Sequence, residues 1–375
     1  MPITCEHILI DNDTRWLIQK ACGDAPEVKL APMDKGASGA KVWLAQFPLN
    51  KNQSSQYCVF KIHSYSKIQR EHKNIQEVTT VLQKKSDDFQ IYGPSKANKG
   101  LLRYQSFGSD FKAKSLREFL QTCKSIAIVE KTIKKLYQQR LSEWHPISSK
   151  PCIKKLKMKD AAHGWLTTMD LNAAAKEIGK ESLEQSLKEW YLTNLVDMKK
   201  EIETIKNMEE TFNFGTVHGD LHTQNVLRDN NGRLQLIDYA WASREKWKAV
   251  DFLMMECSLK FAVTPSNARL ADLILLDASL DKSYGTPSKK YYKQLENLLY
   301  GHELAKVARA VHIVREEAIK RKAVNDIMQY KKGLILLTAG LANVRQVLNR
   351  VYLFHSLAYQ LRFLKIVDGY SIKQR

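Results

Sequence analysis

Apolar and polar positions alternate with a period of two in the first hundred residues and recur at helical spacing afterwards. Lys41–Phe47 (KVWLAQF) and Tyr57–His63 (YCVFKIH) alternate on either side of a polar loop, LNKNQSSQ, so a β-hairpin is expected there. Val28–Ala31 and Gly100–Phe107 read as further short strands. Between them, Ser66–Lys84 places Ile68, Ile75, Val78, Val81 and Leu82 at helical intervals, with Ser66 as the candidate cap. From Ser115 onward helical patterns dominate. Leu116–Leu141 and Ser182–Met208 are long amphipathic candidates, and residues 289–365 read as a helical tail. Pro146–Asp170, with its basic run KKLKMK, reads as an irregular insertion or mobile loop, and REEAIKRK (Arg315–Lys322) as a solvated helix face. A small strand-rich part followed by a large helical one is the expected organisation.

Composition fits that picture. Of 375 residues, 44% are apolar and 26% charged, the balance of a folded protein rather than a disordered one. The longest apolar stretch, Gly333–Ala342, falls far short of the ~20 residues a membrane span needs. The N-terminus lacks the basic and apolar regions of a secretion signal. The six cysteines are scattered without a CxxC pair, which points away from zinc and disulfide frameworks and toward a reducing, cytoplasmic setting. Lys and Arg number 59 against 40 Asp and Glu, a formal charge of +19 that favours acidic partners: nucleotides, nucleic acid, anionic lipid headgroups or acidic proteins, and an acidic acceptor or docking partner at the basic runs Lys131–Arg140 and Lys150–Lys159. A nucleic-acid role is not expected, because no groove-reading or base-stacking motif accompanies the charge.

The segment that carries chemistry is VHGDLHTQNVLRDNNGRLQLID, residues 217–238. Two apolar runs, Val226-Leu227 and Leu234–Ile237, flank Asp229-Asn230-Asn231-Gly232, a hairpin signal with Asn-Gly at its tip. Such a hairpin brings the residue before its first strand and the residue after its second to one end. Asn225 and Asp238 therefore converge, with Asp220 five residues before Asn225 on the preceding loop. Phosphoryl transfer needs this set: one Asp to orient an acceptor hydroxyl and take its proton, and an Asn and a second Asp to hold magnesium against the phosphates. The spacing D-x4-N-x12-D matches a kinase catalytic loop, with Gly219 where protein kinases have Arg.

The string His218-Gly219-Asp220-Leu221-His222-x-x-Asn225 closely resembles the catalytic loop of aminoglycoside, choline and related small-molecule phosphotransferases. Ile237-Asp238-Tyr239 resembles their magnesium-binding segment, and Asp251 the later Asp that braces it. The resemblance spans residues 25–260 and is densest over 215–258. The extended string LQLIDYAWASREKWKAVDFLMMECSLKF is most like bacterial phosphotransferase-like proteins of multidomain signalling or conflict systems, called ternary-complex-associated domains.

The resemblance implies an α+β, bilobal protein-kinase-like fold. Residues 1–105 would form a small antiparallel-sheet N-lobe and residues 106–375 a large, mainly helical C-lobe. It implies ATP and Mg2+ as cofactors, Asp220 as catalytic base with His218 and His222 beside it, and Asn225 and Asp238 as metal ligands. On the same resemblance Lys61 contacts the ATP phosphates, with Glu71 as its ion-pair partner and Glu77 as second choice. Gly36, Ser38 and Gly39 belong to a phosphate-covering loop, and Arg103, Tyr104 and Gln105 to the hinge that meets adenine. Trp241 and Trp247, near the catalytic loop, either line an acceptor pocket or pack in the core. The implied activity is transfer of the γ-phosphate to a hydroxyl of an unidentified, small-molecule acceptor. The alternatives are a nucleotide-binding regulatory module with little turnover and transfer of a nucleotidyl group on the same fold.

Overall fold

The structure is a computed structural model. It describes residues 2–5, 10–33, 39–48, 55–81, 89–104, 113–147, 152–162, 172, 185–282, 289–342 and 349–373. The chain divides into two compact units: residues 1–122 with 216–244, and residues 123–215 with 245–375.

The first unit is built on a six-stranded sheet. Its strands are β1 (Ile3–Cys5), β2 (Val28–Pro32), β3 (Lys41–Pro48), β4 (Ser55–Ser64), β5 (Phe89–Tyr92) and β6 (Lys99–Tyr104), in the order β1-β2-β3-β4-β6-β5. The hairpin expected from the two alternating runs is β3–β4, antiparallel with Val42 opposite Lys61. The sheet is otherwise antiparallel, but β1 runs parallel to β2, a pairing not foreseen from three residues of sequence.

Alternation divides the side chains of this sheet between two faces. Trp43, Ala45, Phe47, Cys58, Phe60, Ile62 and Leu101 pack on one side against Leu17, Ile18, Ala21 and Cys22 of helix α1 (Asn12–Cys22). The N-terminus of α1 is capped by Asp11, whose carboxylate accepts the Thr14 amide hydrogen at 2.9 Å. Lys61 lies on the other face with its cross-strand neighbour Leu102. Helix α2 (Tyr65–Val81) follows β4 with no intervening residue, and its Tyr65 N–H donates to the Asn98 carbonyl at 2.9 Å. Ser66 is thus inside the helix, not its cap: the chain enters α2 directly from the strand. Tyr65 also explains Gly100, since a Cβ there would come within 2.7 Å of the tyrosine ring.

A second sheet completes this unit. Strands β10 (Val226–Arg228) and β11 (Leu234–Leu236) form the expected hairpin, joined along its other edge by β7 (Lys114–Ser115), which precedes helix α3 (Leu116–Thr122). Asp229 closes the turn, accepting the Arg233 amide hydrogen on Oδ1 at 2.7 Å.

Residues 116–141, which run from the first unit into the second, are not one helix. After α3 the chain breaks, and Ser125 caps α4 (Ile126–Lys135), which runs on into a wider π-type turn at Leu136–Arg140. Part of the stretch read as an irregular insertion is strand β8 (Cys152–Lys157), antiparallel to β9 (Glu209–Val217), with β12 (Ser243–Trp247) on the far side of β9. Its lysines hid the alternation; Lys154 and Lys155 meet Glu245 and Glu209 at 3.0 and 3.6 Å. Helices α5 (Met158–Ala161), α6 (Gln185–Asn207), α7 (Ala249–Ser258), α8 (Leu270–Lys282), α9 (Lys289–Glu296), α10 (Gly301–Lys320), α11 (Ile327–Leu341) and α12 (Arg350–Lys373) supply the rest. The fold is α+β, as expected.

The charge run at the end of α10 is only partly solvated: Glu316, Lys320 and Lys322 are exposed, but Arg315, Glu317 and Arg321 are not. Arg315 is buried and forks onto Glu256 of α7 at 2.5 and 2.8 Å, while buried Arg321 binds Glu317 at 2.8 Å. Residues four apart share a helix face, and here that face points inward. Among the described residues, no helix is long and apolar enough to cross a membrane.

Candidate active site

The site lies within the first unit and starts from Lys61 on β4. Its ammonium is buried and meets two carboxylates, Glu71 Oε2 and Asp238 Oδ1, each at 2.7 Å. Burial opposes charge on Lys61, but the two carboxylates outweigh it and raise its pKa. Burial also pushes the Glu71 carboxyl up, more than Lys61 pulls it down. Asp238 feels the same burial, yet the ammonium beside it holds its pKa below the usual carboxylate value. Glu77 is exposed on α2, so Glu71 is the partner.

The segment after β11 is held from several sides. Asp238 has φ 63°, a left-handed backbone uncommon for a residue with a side chain. Its N–H donates to the Tyr104 hydroxyl at 3.1 Å, and the Tyr239 N–H donates to Glu71 Oε1 at 3.0 Å. The Tyr104 hydroxyl in turn donates to Glu71 Oε1. Asn74, one turn beyond Glu71 on α2, donates to the carbonyls of Tyr239 and Ala240 at 3.4 and 2.8 Å. The helical i,i+3 spacing from Glu71 was the available sign of Asn74's part, and sequence reasoning passed over it.

The residues of the 218–225 loop sit beside this cluster. His218 is fully buried, and its Nε2 donates to the Ile237 carbonyl at 3.0 Å, tying the loop to the strand before Asp238. Gly219 has φ 79°, and a Cβ there would lie 2.2 Å from the Trp241 carbonyl oxygen. No other residue fits, which is why this loop cannot carry the arginine of protein kinases. Asn225 turns its amide nitrogen onto the Asp220 carbonyl at 2.8 Å, which directs its Oδ1 the other way. The Asn225 carbonyl accepts the Ile237 N–H at 3.0 Å, so the two ends of the β10–β11 hairpin are joined as its sequence implied.

Asp220 presents a carboxylate whose Oδ1 is buried without a hydrogen-bond partner. His222 Nδ1 accepts the Gln224 N–H at 3.2 Å, leaving Nε2 toward Asp220 Oδ2 at 3.8 Å. Burial raises the Asp220 pKa, with neighbouring Asp238 adding to it and His222 opposing.

Other expected residues lie elsewhere. The Arg103 side chain is on the opposite face of β6 from Lys61, where Nη1 donates to the Ala21 carbonyl at 2.5 Å. Gly39 has φ 74° and open space around it, while Gly36, Ser38 and Gln105 lie outside the described residues. Trp247 is wholly buried; Trp241 is exposed, with the Arg70 guanidinium 5.9 Å from its ring. Asp251, in the second unit, is buried against His145 Nε2 at 2.9 Å.

The donor set suits a hard divalent cation. Asp238 and Asn225 offer oxygen ligands and Asp220 Oδ1 is an orphaned acceptor beside them, the chemistry magnesium selects. Among the described residues no group of three or more His, Cys, Asp or Glu could hold a metal. Two protein oxygens shared with phosphate oxygens is the arrangement magnesium favours.

An α+β fold with a buried lysine–carboxylate pair beside an Asp-Asn-Asp set defines the class: the chain resembles the kinase-like phosphotransferases. Residues 175–337 match the family model described as ternary complex associated domain 9. No curated protein matches the sequence. Among solved structures the chain is similar to LicA in complex with AMP, at 11% identity and TM-score 0.44, over 95% of this chain and 100% of that one. It is similar to an aminoglycoside phosphotransferase in ternary complex with AMP-PNP and hygromycin B, at 10% identity and TM-score 0.42, over 94% and 98%. The Plasmodium vivax ethanolamine kinase is similar at 10% identity and TM-score 0.37, over 89% and 81%.

Proposed function

We propose that this protein is an ATP- and magnesium-dependent phosphotransferase that moves the γ-phosphate to a hydroxyl of an acceptor, in a cytoplasmic setting. The observation that carries this reading is the meeting of Lys61, Glu71 and Asp238 at 2.7 Å contacts, next to an Asp220 carboxylate with a vacant buried oxygen. In this reading residues 1–105 supply the lysine and its glutamate, and the later residues supply the loop.

Lys61, kept charged by its two carboxylates, meets phosphate oxygens of the donor. Asp220 orients the acceptor O–H and receives its proton as the new O–P bond forms and the bond from γ-phosphorus to the bridging oxygen breaks. A carboxyl whose pKa is raised by burial is a better proton acceptor than an ordinary one. Asn225 and Asp238 would hold the magnesium, which neutralises phosphate charge when bound. His218 touches no reacting atom in this scheme; it keeps the loop against Ile237. His222 sets the environment of Asp220.

The test is a thermal-shift titration with ATP, with and without magnesium, on the wild type and Asp238→Ala. Nucleotide at a hundred times its Kd stabilises by about 2.7 kcal/mol. The expected outcome is a magnesium-dependent shift that Asp238→Ala loses; no shift in the wild type overturns the reading. Once an acceptor is found, a product gain of about 80 daltons identifies phosphoryl transfer, and about 329 daltons nucleotidyl transfer.

A further inference from the structure

Tyr104 was expected in the hinge that meets adenine, but its side chain does something else. The ring is fully buried, flanked by Phe89 at 5.8 Å and Tyr239 at 6.2 Å between centroids. A buried phenol needs a polar partner. This one has two that belong to different parts of the site: it donates to Glu71 Oε1 and accepts the Asp238 N–H at 3.1 Å. Asp238 sits in a left-handed conformation that is strained for a residue with a side chain and persists only where its surroundings hold it.

The surroundings divide that work. Asn74 takes the carbonyls of Tyr239 and Ala240, and Glu71 takes the Tyr239 amide. The Asp238 amide itself goes to Tyr104. We infer that Tyr104 is a positioning residue: its hydroxyl fixes the main chain of Asp238 and couples the orientation of that carboxylate to the Lys61–Glu71 pair. Touching neither substrate nor metal, it acts through Asp238. Its value to magnesium–nucleotide binding rests on the phosphotransferase reading; its hold on the Asp238 amide does not.

The experiment separates the two. Tyr104→Phe keeps the ring stacking and deletes only the hydroxyl, and Tyr104→Met is a second route to the same loss. Asn74→Ala is the control for general loosening, since it frees carbonyls but not the Asp238 amide. Hydrogen exchange is followed on peptides covering residues 237–240 in the nucleotide-free protein. The expected result is exchange about tenfold faster at Asp238 in Tyr104→Phe, as for one lost hydrogen bond, and wild-type rates there in Asn74→Ala. Unchanged protection in Tyr104→Phe, or equal loss in Asn74→Ala, overturns the inference. A parallel calorimetric titration with ATP should show an about tenfold weaker Kd for Tyr104→Phe with magnesium and no change without it. Wild-type protein that binds no magnesium–ATP would overturn the phosphotransferase reading and leave the exchange result to decide the role of Tyr104.

Discussion

At the scale of single residues, Asp220 and Asp238 are a pair of carboxyls that their surroundings push apart. Burial lifts Asp220 above the ordinary aspartate value of about 3.9, while Lys61 holds Asp238 below its own ordinary value. In the proposed mechanism turnover requires Asp220 ionised, so the acid limb of the rate profile should fall above that value. Magnesium–nucleotide binding, which on the same proposal requires Asp238 ionised, should persist to lower pH. Between the two limbs the protein should bind nucleotide without turning it over, which parallel rate and binding profiles would reveal. For stability the signs oppose. Ionised Asp238 stabilises above its unfolded pKa, a contribution lost as pH falls through its lowered folded value. Ionised Asp220 opposes folding, so its protonation on acidification relieves the molecule. Asp220→Ala should abolish turnover while nucleotide binding survives; full activity would remove it from the mechanism. Gly219→Ala should cost at least about 1–3 kcal/mol in a thermal melt, because its backbone is left-handed and the Trp241 carbonyl occupies the space a methyl would need.

At the scale of elements, legibility followed periodicity. The β3–β4 and β10–β11 hairpins were readable because alternation and an Asn-Gly turn act locally. Asn225 and Asp238 were expected to meet because the hairpin between them is local, whereas Lys61, on a distant strand of another sheet, was singled out through the resemblance alone. Tyr104 was legible only as a hinge position and Asn74 not at all, since their roles depend on which turn of α2 faces the segment after β11. Arg315 and Arg321 were misread because buried and solvated charge have the same one-letter code; only tertiary partners distinguish them. Arg315 carries an expectation of its own. Arg315→Met leaves the buried Glu256 carboxylate without its guanidinium, though still accepting the Tyr330 hydroxyl at 2.9 Å, and should cost about 3–5 kcal/mol by denaturant unfolding. Adding Glu256→Gln should recover part of that loss.

At the scale of the whole molecule, the excess of charge is its most general property. A net +19 spread over 375 residues repels itself, and salt screens such repulsion. Raising ionic strength from 0.01 M to 0.15 M should therefore raise the melting temperature, and a fall would mean that paired surface charges dominate. Some of the basic surplus is already spoken for, as at Lys154 and Lys155 on β8. The two-part reading of the chain at residue 105 came from motif order. The compact units follow contact instead, and group residues 216–244, with the loop of Asp220 and Asn225, alongside the first 122 residues. No pattern along the sequence announces that regrouping, because it depends on the hairpin's distant strand partner, Lys114–Ser115.

One junction has a mechanical meaning. Strand β4 becomes helix α2 between Ser64 and Tyr65 with no slack, and the joint is pinned to Asn98 and stacked on Gly100. A lever needs a pivot, and this one is welded: swinging α2 to part Glu71 from Lys61 would have to unzip the end of β4 from β6. Strand, helix and ion pair should accordingly open to solvent exchange together or not at all.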